Sequence, residues 1–435
     1  MTPDPSGPMR IVSYSLFVPY VGIPHAGGEY YRRHIRALRA LGHDVTIVAP
    51  RTGMNEEGLR RTDEPERVLL VDPSASRGAS IADRIAALLL PHELPPSQRR
   101  AILRTAAVRA AVTEADLIEA HWAELWFAVR DAADALPTML YAHDVPLQRE
   151  LRWLRTAWEQ RRPRKVLWRA WRSTMAALTR SRSSDAADVL IVLSAKDAAL
   201  AHRSRRLRPP VSIDPPLWPP SEVPAAEHAP PVRAARAAPS TEGPAPAPTA
   251  LFVAAFHRRE NVEAATWLLN DVWGRVLNLV PDARLVIAGA HPPPALHEAA
   301  GAHSDVVVTG YVADLESVYA MSDVVVVPLR AGAGVKFKTI DAMLRDLPVV
   351  STTIGAEGIV DDSGRAPFPV ADGAGEFAAA VAEALRPEPG AADSRTAAVG
   401  AWARDRYGEG RYGEHLRRML AEAQTAYGAT RRTHR

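Results

Sequence analysis

"MRIVSYSLFVPYVGIPHAGGEYYRRHIRALRALGHDVTIVAP", residues 9–50, reads as a strand, a glycine-bearing loop, a helix and a second strand. "RIVSY" and "DVTIVA" are short runs that are apolar throughout rather than alternating, as strands covered on both faces must be. Between them Tyr31, Ile35, Leu38 and Leu41 recur at the spacing of one helix face, and Gly42 supplies the stop. Two strands joined through a helix are the repeating unit of a parallel, helix-covered sheet.

The pattern repeats outward from this stretch. "RVLLV", "ADLIEA", "PTMLYA" and "ADVLIVLS" continue it in the first half, and "ALFVAA", "ARLVIAG", "DVVVTG", "DVVVVPL" and "LPVVSTT" restart it in the second. Between the halves, residues 219–249 are dominated by Pro and Ala and hold no large apolar residue beyond valine. Burial cannot offset the ordering entropy of such a segment, so a flexible linker is expected there. The division that follows is an N-terminal domain over 1–218, the linker, a C-terminal domain over 250–400 and a charged helical tail over 401–435, read as packing back on the first domain. Two open α/β domains in one chain place a cleft between their strand-end loops, a geometry that suits a two-substrate enzyme.

Composition narrows the classes without choosing among them. The 435 residues exceed one core and fit two domains. A formal charge of +3 on that length gives no electrostatic argument for nucleic acid. There is no cysteine, which removes thiol nucleophiles, thiolate metal sites and disulfides together and makes a reducing cytosol the natural compartment. The first ten residues lack the apolar core of a signal peptide, and no run reaches a membrane span. A cytoplasmic protein, soluble or peripheral at the inner face of the membrane, is expected.

"GAGVKFKTIDAM", residues 332–343, carries two of the four lysines in a chain with 53 basic residues. Gly332 and Gly334 follow a strand and a helix begins near Lys336; Phe337, Ile340 and Leu344 form its buried face, while Lys338 and Asp341 share an exposed edge. A compact ammonium suits a diphosphate, and a carboxylate one turn on suits a pair of ribose hydroxyls. The plain alternative is a solvated ion pair on a surface helix. Gly27 and Gly28 precede the first helix and leave its amides open to a phosphate, or else make a tight turn with no ligand. "FHRREN" offers Arg258 and Arg259 at another strand end, as phosphate clamps or as ordinary surface arginines. "YAHDVP" ends a strand with His143 and Asp144, and "DLIEAHWAEL" brings Glu119 and His121 to a third strand end. No P-loop, HExxH, DxD or GxSxG pattern is present, so neither metal nor cofactor is expected.

The stretch from Arg149 to Arg182 holds eleven basic residues against two acidic ones and four of the ten tryptophans. Interleaved Trp and Arg suit an anionic membrane surface, the covering of the first domain by snorkelling arginines, or an acidic acceptor.

These segments together resemble the GT-B-fold glycosyltransferases of the large retaining group often called family 4. The opening stretch is similar to the family's start, "ADVLIVLSAKDA" to its strand before the linker, and the region from "NVEAATWLLNDVW" through "STTIGAEGI" to its donor-binding domain. The resemblance implies two Rossmann-like domains with parallel sheets facing a central cleft. It implies transfer of a sugar from a nucleotide-sugar, retaining and without metal, to a glycan, lipid-linked or small-molecule acceptor on the first domain. It further implies that Gly27 and Gly28 approach the donor phosphate, that His143 stands at the reacting face, that Gly332 to Gly334 present amides, and that Asp341 takes the place of the ribose-binding glutamate. The family's other glutamate falls on Ala333, and its diphosphate-binding arginine and lysine fall on Ala255 and Glu260. Lys336, Lys338 and Arg258 or Arg259 are the residues whose chemistry could replace that clamp. Because of these departures a catalytically degenerate sugar-nucleotide or glycan-binding protein is the alternative, with a sugar-nucleotide epimerase behind it.

Overall fold

A computed structural model describes residues 7–23, 25–72, 81–89, 94–129, 135–143, 146–159, 161, 163–184, 187–201, 209–217, 247–312, 314–386 and 391–433. Most of the linker segment, up to residue 246, and Asp144 lie outside the described residues. The chain divides into two compact units, residues 1–216 with 409–435, and residues 217–408.

The first unit is built on a seven-stranded sheet: β1 (Arg10–Tyr14), β2 (Asp44–Pro50), β3 (Val68–Val71), β4 (Leu117–His121), β5 (Thr138–Ala142), β6 (Val189–Val192) and β7 (Val211–Ser212), in the order β3-β2-β1-β4-β5-β6-β7. Every pairing is parallel, with Val12 opposite Thr46 on one side and Ile118 on the other. All six apolar runs of the first half are strands. β7 had no sequence signal, because two residues behind Pro209 and Pro210 are too few to show a period. The helix Ala26–Ala40 buries Tyr31, Ile35 and Leu38 on the expected face. The helix Glu409–Thr433 also belongs to this unit and lays Tyr412, Leu416 and Met419 into its interior.

The second unit has a five-stranded parallel sheet: β8 (Thr249–Val253), β9 (Arg284–Ala288), β10 (Val306–Gly310), β11 (Val324–Val327) and β12 (Val349–Ser351), in the order β10-β9-β8-β11-β12. The four valines of β11 are buried, which is the cost-free solution for a strand covered on both faces. Trp273, Tyr407, Phe252 and Phe377 are the largest fully buried side chains of this core, each worth about 2–3 kcal/mol of burial. The helix Arg259–Trp267 runs on through a wide π-helical turn, Leu268–Trp273, into Gly274–Leu279.

Strand order reverses between β1 and β4 in the first unit and between β8 and β11 in the second. Loops leaving such neighbours turn to opposite faces of the sheet and open a crevice at its carboxyl edge. The chemistry-bearing residues collect at these two edges.

Candidate functional site

In the second unit the loop after β8 enters the helix Arg259–Trp267, and the loop after β11 enters the helix Phe337–Met343. Asn261 Nδ2 donates to Ala255 O at 2.8 Å and so ties the first loop to its own helix. The other end of that amide, Asn261 Oδ1, accepts from Lys338 Nζ at 3.1 Å, and the ammonium lies 4.8 Å from the Phe252 ring centre. Among the described residues no carboxylate is paired with Lys338. Burial lowers its pKa to about 7, the charges of Arg258 and Lys336 add to that, and Glu260 opposes it.

Lys338 and Asp341 therefore differ from the exposed edge expected for them. The lysine turns inward because Phe252 and Asn261 offer it a ring face and an acceptor; Asp341 lies 3.8 Å from Arg345, which Glu316 also holds. Lys336 donates to Gly334 O and stands 3.6 Å from the buried Glu357 carboxylate. The turn leading to them needs glycine, since Gly332 and Gly334 have φ of +116° and +76°. A methyl group on Gly332 would stand 3.8 Å from Lys336 Cε and 3.9 Å from Glu260 Cγ, so Glu260 from the first loop lies against the second. Arg258 is exposed at the start of its helix, and Arg259 is held by Glu263 at 2.7 Å. The loops after β8 and β11 thus bring together Arg258, Glu260, Asn261, Gly332, Lys336 and Lys338.

In the first unit the amides of Gly27 and Gly28 are not open. His25 Nδ1 accepts from both, at 3.1 and 3.3 Å, and caps the helix. Gly28 leaves the room that Ile23 fills, since a methyl there would stand 2.4 Å from Ile23 Cδ1. Behind this loop lies a buried polar network centred on Glu119 in the middle of β4. Its carboxylate takes Ser13 Oγ at 2.6 Å, His34 Nε2 at 3.0 Å and His121 Nε2 at 3.3 Å. Ser13 Oγ meets Tyr31 OH at 2.8 Å, His34 Nδ1 meets Tyr412 OH at 2.8 Å, and His121 Nδ1 meets His143 Nε2 at 3.3 Å. Burial works to raise the Glu119 carboxyl, but the charge of His34 and the imidazole hydrogen bonds outweigh it and hold the group well below the carboxylate range. Burial brings His121 down to about 4 and keeps His143 well below the ordinary imidazole value. The donor atoms of His34, Glu119 and His121 lie within 4.8 Å of one another, the one such group among the described residues, and hydrogen bonds already join them.

His143 directly follows β5 and is partly exposed. Its ring stacks on Trp122 at 4.4 Å and takes the edge of Tyr30 at 4.6 Å. Trp122 has φ of +73°, a strained conformation for an aromatic residue that sets its ring beside the histidine. His34, Tyr412 and Asn261 carried no sequence signal, for each sits in a helix whose periodicity is fully explained by packing. Glu119 did carry one, as a carboxylate inside an otherwise apolar strand.

The basic tryptophan stretch forms two helices, Pro146–Glu159 and Pro163–Ser184, pinned together where buried Glu150 receives Arg169 at 2.8 Å and Arg172 at 2.9 Å. Trp158 and Leu167 are 72% and 74% exposed. Trp171 Nε1 donates to Leu88 O at 3.0 Å, which joins this surface to the helix Ile81–Leu89, where Ile81 is 78% exposed. No described helix is long and apolar enough to cross a membrane.

Residues 247–386 match the family described as Glycosyl transferases group 1, so the resemblance holds over the second unit's sheet. An uncharacterized 44.6 kDa protein in the cps region of Klebsiella pneumoniae is 32% identical over 122 residues, 26% of this chain and 31% of that protein. The chain therefore spans about a third of the curated relative's length. Among solved structures, Anabaena HepE in complex with UDP and glucose superposes with a TM-score of 0.62 at 15% identity, over 95% of this chain and 99% of that one. A glycosyltransferase from Rickettsia africae gives 0.64 at 12% identity, over 96% and 99%. Sucrose-phosphate synthase from Thermosynechococcus elongatus gives 0.57 at 17% identity, over 98% of each chain. At these identities the likeness is one of fold, and the fold is GT-B: two α/β units with parallel sheets.

Proposed function

We propose that the protein is a glycosyltransferase that moves a sugar from a nucleotide-sugar to a glycan, lipid-linked or small-molecule acceptor. The observation that carries this reading is Lys338, an enclosed ammonium beside Lys336 and Arg258 with no carboxylate paired to it among the described residues. A cation in that position lacks an anion, and a nucleoside diphosphate supplies one at the carboxyl edge where such ligands bind. Asp341, one turn on, is the residue proposed for the ribose. Gly332 and Gly334 let the backbone come close, and Arg258 is better free to clamp than Arg259. A phosphate reaches the amides of Gly27 and Gly28 only after the His25 ring turns aside.

In the proposed reaction the bond from the anomeric carbon to the diphosphate oxygen breaks and a bond to the acceptor oxygen forms. Negative charge grows on the departing diphosphate, where Lys336 and Lys338 stabilise it in place. If configuration is retained, that diphosphate takes the acceptor proton and His143 orients the sugar. The residues present supply no argument for a metal or other cofactor in this step. UDP is the first nucleotide to test, since the Anabaena relative binds it.

Thermal-shift screening against UDP, GDP, ADP and dTDP tests the reading: one nucleotide raises the midpoint in proportion to its affinity, and no shift with any of them removes it. Ala333 and Glu260, which stand where the family has a carboxylate and a cation, favour the second reading, a sugar-nucleotide or glycan binder without turnover. Donor hydrolysis with a panel of nucleotide-sugars separates the two. The exposed Trp158, Leu167 and Ile81 among arginines fit a peripheral contact with anionic lipid, with a lipid-linked acceptor drawn from it, at a cytoplasmic membrane face. Failure to sediment with anionic vesicles would remove that part alone.

A further inference from the structure

We propose that Glu119 and His121 are positioning residues that fix the tautomer of His143, so that His143 presents a bare Nδ1 as hydrogen-bond acceptor to a hydroxyl of the transferred sugar. The sugar hydroxyl rests on the glycosyltransferase reading; the tautomer does not.

An ionised carboxylate only accepts hydrogen bonds, so each group that meets Glu119 must turn a proton toward it. His121 Nε2, 3.3 Å away, therefore carries hydrogen. In a neutral imidazole the other nitrogen is then a lone pair, and His121 Nδ1 can only accept. What faces it at 3.3 Å is His143 Nε2, which must donate. The same reasoning applied once more leaves His143 Nδ1 unprotonated. Among the described residues nothing is hydrogen-bonded to that nitrogen, and the residue is partly exposed at the end of β5.

The rest of the network agrees with this direction. Ser13 Oγ donates to Glu119 and so accepts from Tyr31 OH, and His34 turns an Nε2 proton to the same carboxylate. Protons converge on Glu119 from every side, and the acceptor end of the longest branch surfaces at His143. Ring stacking holds the branch in line, with Tyr141 on His121 at 4.4 Å and 5° and Trp122 on His143 at 4.4 Å and 17°. Burial keeps both imidazoles neutral, as the relay requires.

The test reads ring nitrogens directly. In uniformly 15N-labelled protein at pH 7, long-range proton–nitrogen spectra should show His143 protonated on Nε2 and bare on Nδ1. His121→Phe removes the acceptor and should let both tautomers of His143 average. Glu119→Gln, whose amide can donate as well as accept, should let the order reverse. Donor turnover should fall about 3- to 10-fold in kcat/KM in both variants, the worth of one hydrogen bond, with the nucleoside diphosphate thermal shift unchanged. A proton on Nδ1, a doubly protonated ring, or His143 shifts unmoved in both variants overturns the proposal. Should either variant fail to fold, the wild-type spectrum alone decides the tautomer. Absence of any nucleotide binding in the wild type would remove the glycosyltransferase reading while leaving the tautomer result standing.

Discussion

The carboxyl edges of the two sheets handle buried charge in opposite ways. In the first unit Glu119 is fully enclosed and fully answered, by a hydroxyl and two imidazoles that give it protons. In the second, Lys338 is held by an amide oxygen and a ring face, with more positive charge beside it and no carboxylate paired to it among the described residues. A satisfied network resists change and serves to orient; a cation with no paired carboxylate is where the proposed anionic ligand would bind. The first edge should therefore respond to mutation in stability, and the second in binding.

Glu119→Ala is the harshest way to break the contrast. It leaves two imidazoles and a hydroxyl without their acceptor and should cost about 3–5 kcal/mol in urea unfolding. Equal stability of the variant would mean that the network is not the organiser described. Lys338→Ala should do the reverse, weakening nucleoside diphosphate binding by about 100-fold in calorimetry while leaving the ligand-free protein as stable or more so. A destabilised variant that still bound UDP normally would put the lysine with the structural group instead.

Acidity sharpens the same distinction. Burial brings the Lys338 pKa down to about 7 in the folded protein from its ordinary value of 10.5, so between these values the unfolded chain binds more protons. Stability of the ligand-free protein should then rise with pH across that window. Binding of a diphosphate needs the charged lysine, so its affinity should fall as pH rises above about 7 and be accompanied by proton uptake, measurable as a dependence of binding heat on the buffer. Heats that do not depend on the buffer at pH 8 would argue that the lysine stays charged without ligand. The smallest expected effect is at the turn. Gly332→Ala imposes a side chain at φ of +116° and should cost about 1–3 kcal/mol of stability through that backbone strain, since the methyl itself would make only ordinary contact with Lys336 and Glu260. A crystal structure of the variant with an unmoved turn would show that the glycine is dispensable.

The sheets were legible because parallel strands buried on both faces must be apolar along their length; all eleven runs that met this test are strands. The turn at Gly332 and Gly334 was legible for a similar reason, since positive φ restricts the residue type. What could not be read was partnership across sequence distance. Spacing alone pairs Lys338 with Asp341, three apart on one helix, but its acceptor, Asn261, lies 77 residues away in the first turn of another helix. Nothing local marks His25 as a cap, so the sequence leaves the amides of Gly27 and Gly28 open where the fold closes them. His34 shared its helix face with core residues, and only the fold brings Glu119 beneath it.

Tyr412 connects to Tyr30 at 3.2 Å and to His34 at 2.8 Å, although it follows them by nearly the whole chain. Residues 217–408 are all synthesised before residue 412, so the first unit's buried network gains its last member only after the whole second unit has been made. Vectorial synthesis ordinarily lets the N-terminal domain fold first. Here the N-terminal unit cannot close its network until residue 412 arrives, and a product cut short near residue 408 would leave the Tyr30 phenol and the His34 imidazole without that partner.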